Sequence, residues 1–149
     1  MSIRLGCIAG VLVVLLIGPA YAADKPEDAA QAATESWLKL TDAGDYAGSW
    51  VQAAKVFKDA VKQADWVQMA GGVRTPLGKV VSRKLKSREY TEKPLTTRVV
   101  GGKVYTWGEG KHVVLHYATA FGNKAQTAET VTVTADTDGT WRVSGYSIP

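Results

Sequence analysis

Residues 111–121 read KHVVLHYATAF, and the fold turns on how this stretch is spaced. Val113, Leu115, Tyr117, Thr119 and Phe121 fall at every second position, whereas a helix brings its apolar residues back every third or fourth. Gly108 and Gly110 precede the run and Gly122 follows it, which bounds a strand. His112 and His116 lie four residues apart, a spacing that on a helix makes a metal-ligand pair. On a strand the same spacing separates the two Cα atoms by roughly 13 Å. One zinc ion needs both ring nitrogens at about 2 Å, so the pair is excluded as a chelate and no metal or other cofactor is expected. The bulkier apolar set takes the interior. Both histidines are therefore expected on the solvent side.

Alternation continues on either side. Val131, Val133 and Ala135 alternate with threonines, Asp138-Gly139 reads as a hairpin turn, and Trp141, Val143 and Gly145 begin the matching face of a last strand. Upstream, Val81 and Leu85 alternate with Lys84, Lys86 and Arg88, which puts the three cations together on one face of a long strand. The segment Leu95–Trp107, with Gly101-Gly102 inside it, predicts a short irregular hairpin. Before Pro76 the period is helical. Asp24 and Glu27 bracket Pro26 as a helix start, and Ala29, Ala33, Trp37 and Leu40 form one stripe that Gly44 ends. Asp45 caps a second helix with Tyr46, Trp50, Ala53, Ala54 and Phe57 on its stripe. A third carries Ala60, Val61, Ala64, Val67 and Met69, with Trp66 beside them, and is expected to stop at Gly71-Gly72. Helices first and antiparallel strands after them predict an α+β domain, with N-terminal helices packed on a curved antiparallel sheet.

The first 22 residues read differently. Arg4 precedes an apolar run of 13 residues, Leu5 to Ile17, and Ala20-Tyr21-Ala22 offers small residues at a cleavage site. That is the pattern of a secretory signal peptide cut after Ala22, and the run is short of the roughly 20 residues a membrane span needs. The expectation is a signal peptide over 1–22 and a single α+β domain over 23–149, periplasmic or secreted and not membrane-spanning once processed. Cys7, the only cysteine, leaves with the signal, so the mature domain has no thiol chemistry and no disulfide. Its 127 residues (149 minus 22) are enough to bury a core.

Loss of Arg4 lowers the net charge from +4 to +3, and the surplus is uneven. Nine basic residues lie between Arg74 and Lys103, against Glu89 and Glu92. An exported protein does not meet nucleic acid, so the partners this run points to are an envelope protein or an anionic envelope polymer. Lys84, Lys86 and Arg88 are the candidate contacts.

Several runs of residues carry a family likeness: Asp42-Ala43-Gly44-Asp45-Tyr46, Trp50, the helix ending in Trp66, Arg74-Thr75-Pro76-Leu77-Gly78, Thr119-Ala120-Phe121-Gly122-Asn123-Lys124, and Thr130-Val131-Thr132 through Trp141-Arg142-Val143-Ser144-Gly145-Tyr146. Over about Ala29 to Ile148 the chain resembles the exported bacterial family of domain of unknown function 4019, departing from it around Leu95 to Gly110. The resemblance implies an exported single domain and carries no reaction or catalytic residue with it. The layout is also similar to the cone-shaped NTF2-like (cystatin-like) domains, a likeness of topology that says little about chemistry.

Other constellations are weak. Asp42 and Asp45 read as helix-end residues, Asp136 and Asp138 as turn residues, and Glu35 stands off its stripe, so no two carboxyls are expected to converge. Gly101-Gly102-Lys103 lacks the Ser/Thr and spacing of a phosphate loop, and no Gly-x-Ser-x-Gly occurs. Trp37, Trp50 and Trp141 read as core, leaving Trp107 as the tryptophan free to line a binding surface. Two readings follow. One is a non-catalytic exported binding or interaction module. The alternative is a small pocket enzyme of NTF2-like type using His116 or Tyr117 as acid or base, with Trp107 as a further ligand-binding candidate.

Overall fold

A computed structural model describes residues 25–98 and 104–149, with side chains described outside 96–107. The signal segment and its cut after Ala22, Asp24 and the Gly101-Gly102 pair lie outside the described residues. Four helices come first: α1 (Pro26–Asp42), α2 (Tyr46–Val51), α3 (Lys55–Ala60) and α4 (Gln63–Leu77). Six strands follow: β1 (Val80–Thr91), β2 (Leu95–Arg98), β3 (Val104–Trp107), β4 (His112–Phe121), β5 (Lys124–Ala135) and β6 (Trp141–Ser147). β1, β4, β5 and β6 form a curved antiparallel sheet in the order β1-β4-β5-β6, and β2 pairs with β3 as a separate ribbon. The helices cover one face of the large sheet, and Val113, Leu115, Tyr117, Thr119 and Phe121 are buried under them, as their spacing predicts.

The helices depart from the simple stripes at identifiable places. α1 buries Ala30, Thr34, Trp37, Leu38 and Thr41, one position round from the expected stripe, because two threonines belong to its inner face. Thr41 satisfies its hydroxyl on Leu38 O at 2.9 Å. Asp45 caps α2 through Gly48 N at 2.8 Å. The second helix is in fact two. The chain breaks before Lys55, where Ala54 N donates to Val143 O of β6 at 2.8 Å, a bond that continuous helix would keep for itself. α4 runs straight through Gly71-Gly72. Glycine lowers helix propensity without by itself ending a helix; α4 ends instead at Gly78, which takes a positive φ of 77°. The buried side of α4 is therefore Trp66, Ala70 and Arg74, while Val67 and Met69 are 36% and 45% exposed.

Bulges set the inner face of the sheet. The register passes from Leu85↔Tyr117 to Ser87↔His116, so Lys86 is an extra residue and the parity of β1 inverts beyond it. Arg88, opposite Leu115, thus turns to the helix side and bonds Asp28 at 2.6 Å and Gln31 at 3.1 Å on α1. This corrects the single basic face expected for Lys84, Lys86 and Arg88. A second shift, between Val80 and Ser82, leaves Val81 72% exposed rather than beside Leu85. On β6 the register skips Ser144, so Tyr146 instead of Gly145 joins Trp141 and Val143 on the inner side.

The core centres on an aromatic group in which the indole N–H groups of Trp37, Trp50 and Trp66 are satisfied. Trp37 meets Tyr146 and Trp66 at ring-centroid distances of 5.3 and 5.8 Å, and Phe57 meets Trp66 at 5.0 Å. The Trp37 and Trp66 indole N–H groups both donate to Ser49, to its carbonyl and its hydroxyl, and Trp50 donates to Val61 O. Trp37 and Trp50 are packing residues, as read from the sequence, and Trp66, expected beside its stripe, is packed in the core with them.

The glycine geometry yields a paired prediction. A Cβ at Gly72 would meet nothing within 4 Å, and its helical φ suits alanine. Gly72→Ala should stabilise the protein by about 0.5–1 kcal/mol. Gly78→Ala should destabilise it, because φ is 77° and the new Cβ would lie 3.2 Å from Asn123 Nδ2. Urea unfolding of the two variants checks both signs, and destabilisation by Gly72→Ala would contradict the helical assignment.

Candidate functional site

Where α1 and α4 end over the sheet, four charged groups converge. Glu129 of β5 is 0% exposed and Arg74 of α4 is 4% exposed. Glu129 accepts from Arg74 Nη1 (2.9 Å), Arg83 Nε (2.6 Å), Arg83 Nη2 (3.1 Å), Thr119 Oγ1 (2.6 Å) and Tyr146 Oη (2.5 Å). Asp42, the last residue of α1, accepts from Arg74 Nη2 (2.5 Å), Arg83 Nη1 (2.7 Å) and Arg83 Nη2 (2.9 Å). Arg74 Nη1 also bonds Tyr146 Oη, and the Arg74 guanidinium lies over the Phe121 ring, 4.9 Å from its centroid. Two cations and two anions balance. The expectation that no two carboxyls converge is corrected here: Asp42 and Glu129 are bridged by the same two guanidiniums.

Burial and pairing compete at every member. Burial pushes the Glu129 carboxyl up, but hydrogen bonds from Arg83, Thr119 and Tyr146 outweigh it and hold the group below its ordinary 4.5. At Asp42 burial again pushes up, and Arg83 and then Arg74 bring the carboxyl below its ordinary 3.8. Burial also raises the Tyr146 phenol, and the Glu129 charge beside it raises it further, so Tyr146 stays a neutral donor. Both arginines are held more firmly charged than usual once their partners offset burial. At neutral pH the set is ionised and paired.

Sequence spacing explains how each element delivers its residue. Arg74 continues the Trp66–Ala70 line of α4, Glu129 keeps phase with Val131 and Val133, and Arg83 keeps phase with Leu85. Tyr146 is brought inward by the β6 bulge and held against Trp37 and Trp66. Four runs that carry the family likeness each supply a member or neighbour: Asp42 opens one, Arg74 another, Thr119 and Phe121 belong to a third, and Tyr146 closes the last.

The residues singled out by sequence are dispersed. Tyr117 faces the helices with its hydroxyl buried and, among the described residues, without a partner, and burial pushes its phenol up to about 12. His116 lies on the opposite face, with Nδ1 3.1 Å from Thr130 Oγ1. The two cannot share one substrate. His112 shares that outer face, in phase with His116, but is not solvent-facing as expected: it is 2% exposed, with Nδ1 2.9 Å from Thr134 Oγ1 and Nε2 3.0 Å from Gly108 O. A carbonyl only accepts, so Nε2 carries the proton. Trp107 ends β3, and its side chain lies outside those described. Lys84 and Lys86 are exposed, whereas Arg88 is bound to α1. Among the described residues no group of three or more His, Cys, Asp or Glu could hold a metal ion, and no helix is long and apolar enough to cross a membrane. A shallow open depression of about 530 Å³ lies on the outer side of α4, lined by Asp65, Gln68, Met69, Gly72 and Val73.

The network predicts how stability depends on pH. Both carboxyls are lowered in the fold, so their contribution is fully present above their ordinary 3.8 and 4.5 and is lost as pH falls below them. Tyr117 and Tyr146 are raised, so theirs is present below their ordinary 10.0 and is lost above it. Unfolding free energy should therefore be flat between about pH 6 and 9 and fall on both sides. Glu129→Ala leaves two arginines short of a partner and should cost about 3–5 kcal/mol at pH 7. Glu129→Gln should flatten the acid limb. Denaturant titrations from pH 3 to 11 measure this, and an acid limb unchanged in Glu129→Gln would remove Glu129 as its cause.

No curated protein and no solved structure matches the chain. A family model does match, over residues 33–146, a span that begins inside α1 and closes on Tyr146 of the network. The chain belongs to the family described as protein of unknown function (DUF4019).

Proposed function

We propose that the chain is exported, loses residues 1–22, and acts in the periplasm or outside the cell as a binding module that contacts an anionic envelope polymer through lysines along β1. Export is supported by the Arg4, Leu5–Ile17 and Ala20-Tyr21-Ala22 pattern. The helices-first layout over a curved sheet supports an NTF2-like reading of the topology.

The observation that carries the binding reading is the division among the cations. Arg74, Arg83 and Arg88 are ion-paired within the domain. Lys79, Lys84, Lys86 and Lys93 are exposed and have no ion pair among the described residues. Lys84 and Lys86 belong to an edge strand 12 residues long, and Lys79 and Lys93 flank it, so the four mark out a line of roughly 40 Å. Edge lysines also discourage strand addition by another chain. A linear polyanion laid along β1 would meet them in succession, held by attraction that salt screens.

Lys84→Glu with Lys86→Glu should lower retention on immobilised dextran sulfate at 50 mM salt by about tenfold, on the order of 1 kcal/mol. The difference should vanish near 1 M salt. Arg88→Gln serves as the internal control, with binding unchanged and a small loss of stability, under about 1 kcal/mol. Equal retention of the charge-reversed and unaltered proteins would remove the β1 edge from the function. N-terminal sequencing of the exported protein should begin at Ala23.

A further inference from the structure

The two carboxylates of the network are held by the same arginines but in unequal ways. Glu129 is fully buried, and its five bonds come from guanidinium, threonine and tyrosine donors. Asp42 keeps 31% side-chain exposure, and all three of its bonds come from arginine. It is the last residue of α1, where the helix carbonyls make the negative end of the dipole and disfavour an anion. Residues 43–45 beyond it are exposed. A side-chain rotation at Asp42 would carry its carboxylate into solvent without unpacking a core residue.

What would remain is a formed receptor. Glu129 still fixes Arg74 through Nη1, and Arg83 through Nε and Nη2. Arg74 Nη2 and Arg83 Nη1 and Nη2 then face the vacated place with a net charge of +1. That is a fork of planar donors, the arrangement that suits a carboxylate. Arg74 Nε is buried with no acceptor among the described residues, so this guanidinium already has more donors than partners. Beyond its Cα, the Asp42 side chain has the size and shape of an acetate ion.

We propose that Arg74 and Arg83 form a binding site for small carboxylic acids, that Asp42 occupies it in the free protein as an internal stand-in, and that an incoming carboxylate takes its place. The body of a larger acid would extend outward past residues 42–45. Because Asp42 competes at high effective concentration, the free protein binds acetate weakly, and removing the competitor raises the apparent affinity. The proposal is independent of the lysine edge.

The test follows the Arg83 Nε–H signal by ¹H–¹⁵N NMR while acetate replaces chloride at constant ionic strength and pH 7. In the unaltered protein the signal should shift saturably with acetate. In Asp42→Ala the same shift should be reached at an acetate concentration about tenfold lower or less. Asp42→Asn keeps the space filled and covers the case in which the alanine variant does not fold; it should also saturate below the unaltered protein. No saturable shift in the unaltered protein would overturn the proposal, even if acetate restores Asp42→Ala, because Asp42 would then be a permanent structural bridge. A shift produced equally by phosphate and acetate would overturn the assignment to carboxylates.

Discussion

Glu129 carries a negative charge at a position with no exposure to solvent, and much of the architecture follows from supplying its partners. An isolated buried carboxylate costs several kcal/mol in practice. Here the donors come from α4, β1, β4 and β6, and the bridging arginines reach on to the end of α1. Two helix ends and four strands are tied at one point. A one-residue slip of β5 would carry Glu129 to the outer face and leave both arginines short of a partner, so the network fixes register as well as charge. Such a set contributes less to net stability than its contacts suggest, since each ion forfeits hydration. Its main effect is to make alternative packings costly.

The aromatic group and the network are parts of one design. Tyr146 packs its ring against Trp37 and Trp66 and gives its hydroxyl to Glu129. Phe121 closes the same region from β4, with its ring face against Arg74. Apolar burial thus lowers the local dielectric around the ions and strengthens each charge-assisted bond. The bonds in turn satisfy the one polar atom that Tyr146 brings into the core. The bulge at Ser144 makes this possible, because without it the inward position would have fallen to Gly145.

Alternation at residues 113–121 was enough to place β4, and the succession of periods was enough to place helices before strands. What the pattern could not carry was any position where an extra residue or a polar residue joins the inner face. Lys86 and Ser144 each advance the chain by one, and no composition signal marks them. Thr34 and Thr41 look like surface residues and are buried. The network was legible only in part. Arg74, Arg83 and Glu129 stand in phase with Ala70, Leu85 and Val131, so each is a charge on an apolar line. Counting the arginines with neighbouring lysines as one basic run hid that phase, and reading Asp42 as an ordinary helix end left Glu129 without a visible counterpart.

The distinction between the two cationic side chains explains why that run divides. Every arginine with a described side chain, Arg74, Arg83, Arg88 and Arg142, is paired with a carboxylate, and Arg74, Arg83 and Arg142 each meet two. Among the lysines with described side chains only Lys55 is ion-paired, with Asp59. A guanidinium is weakly hydrated, planar and able to bridge two anions, so it can be built into a wall between a helix end and a sheet. An ammonium is compact and strongly hydrated, and it stays at the end of a mobile stem in water. The chain uses the first for construction and leaves the second on the surface. Among the described residues the unpaired positive charge is therefore carried outward by lysine, where a partner can reach it. The arginines of the network are spent on Asp42 and Glu129, and an outside ligand reaches them only by replacing one of those two. Of the two, Asp42 is the one with a path to solvent.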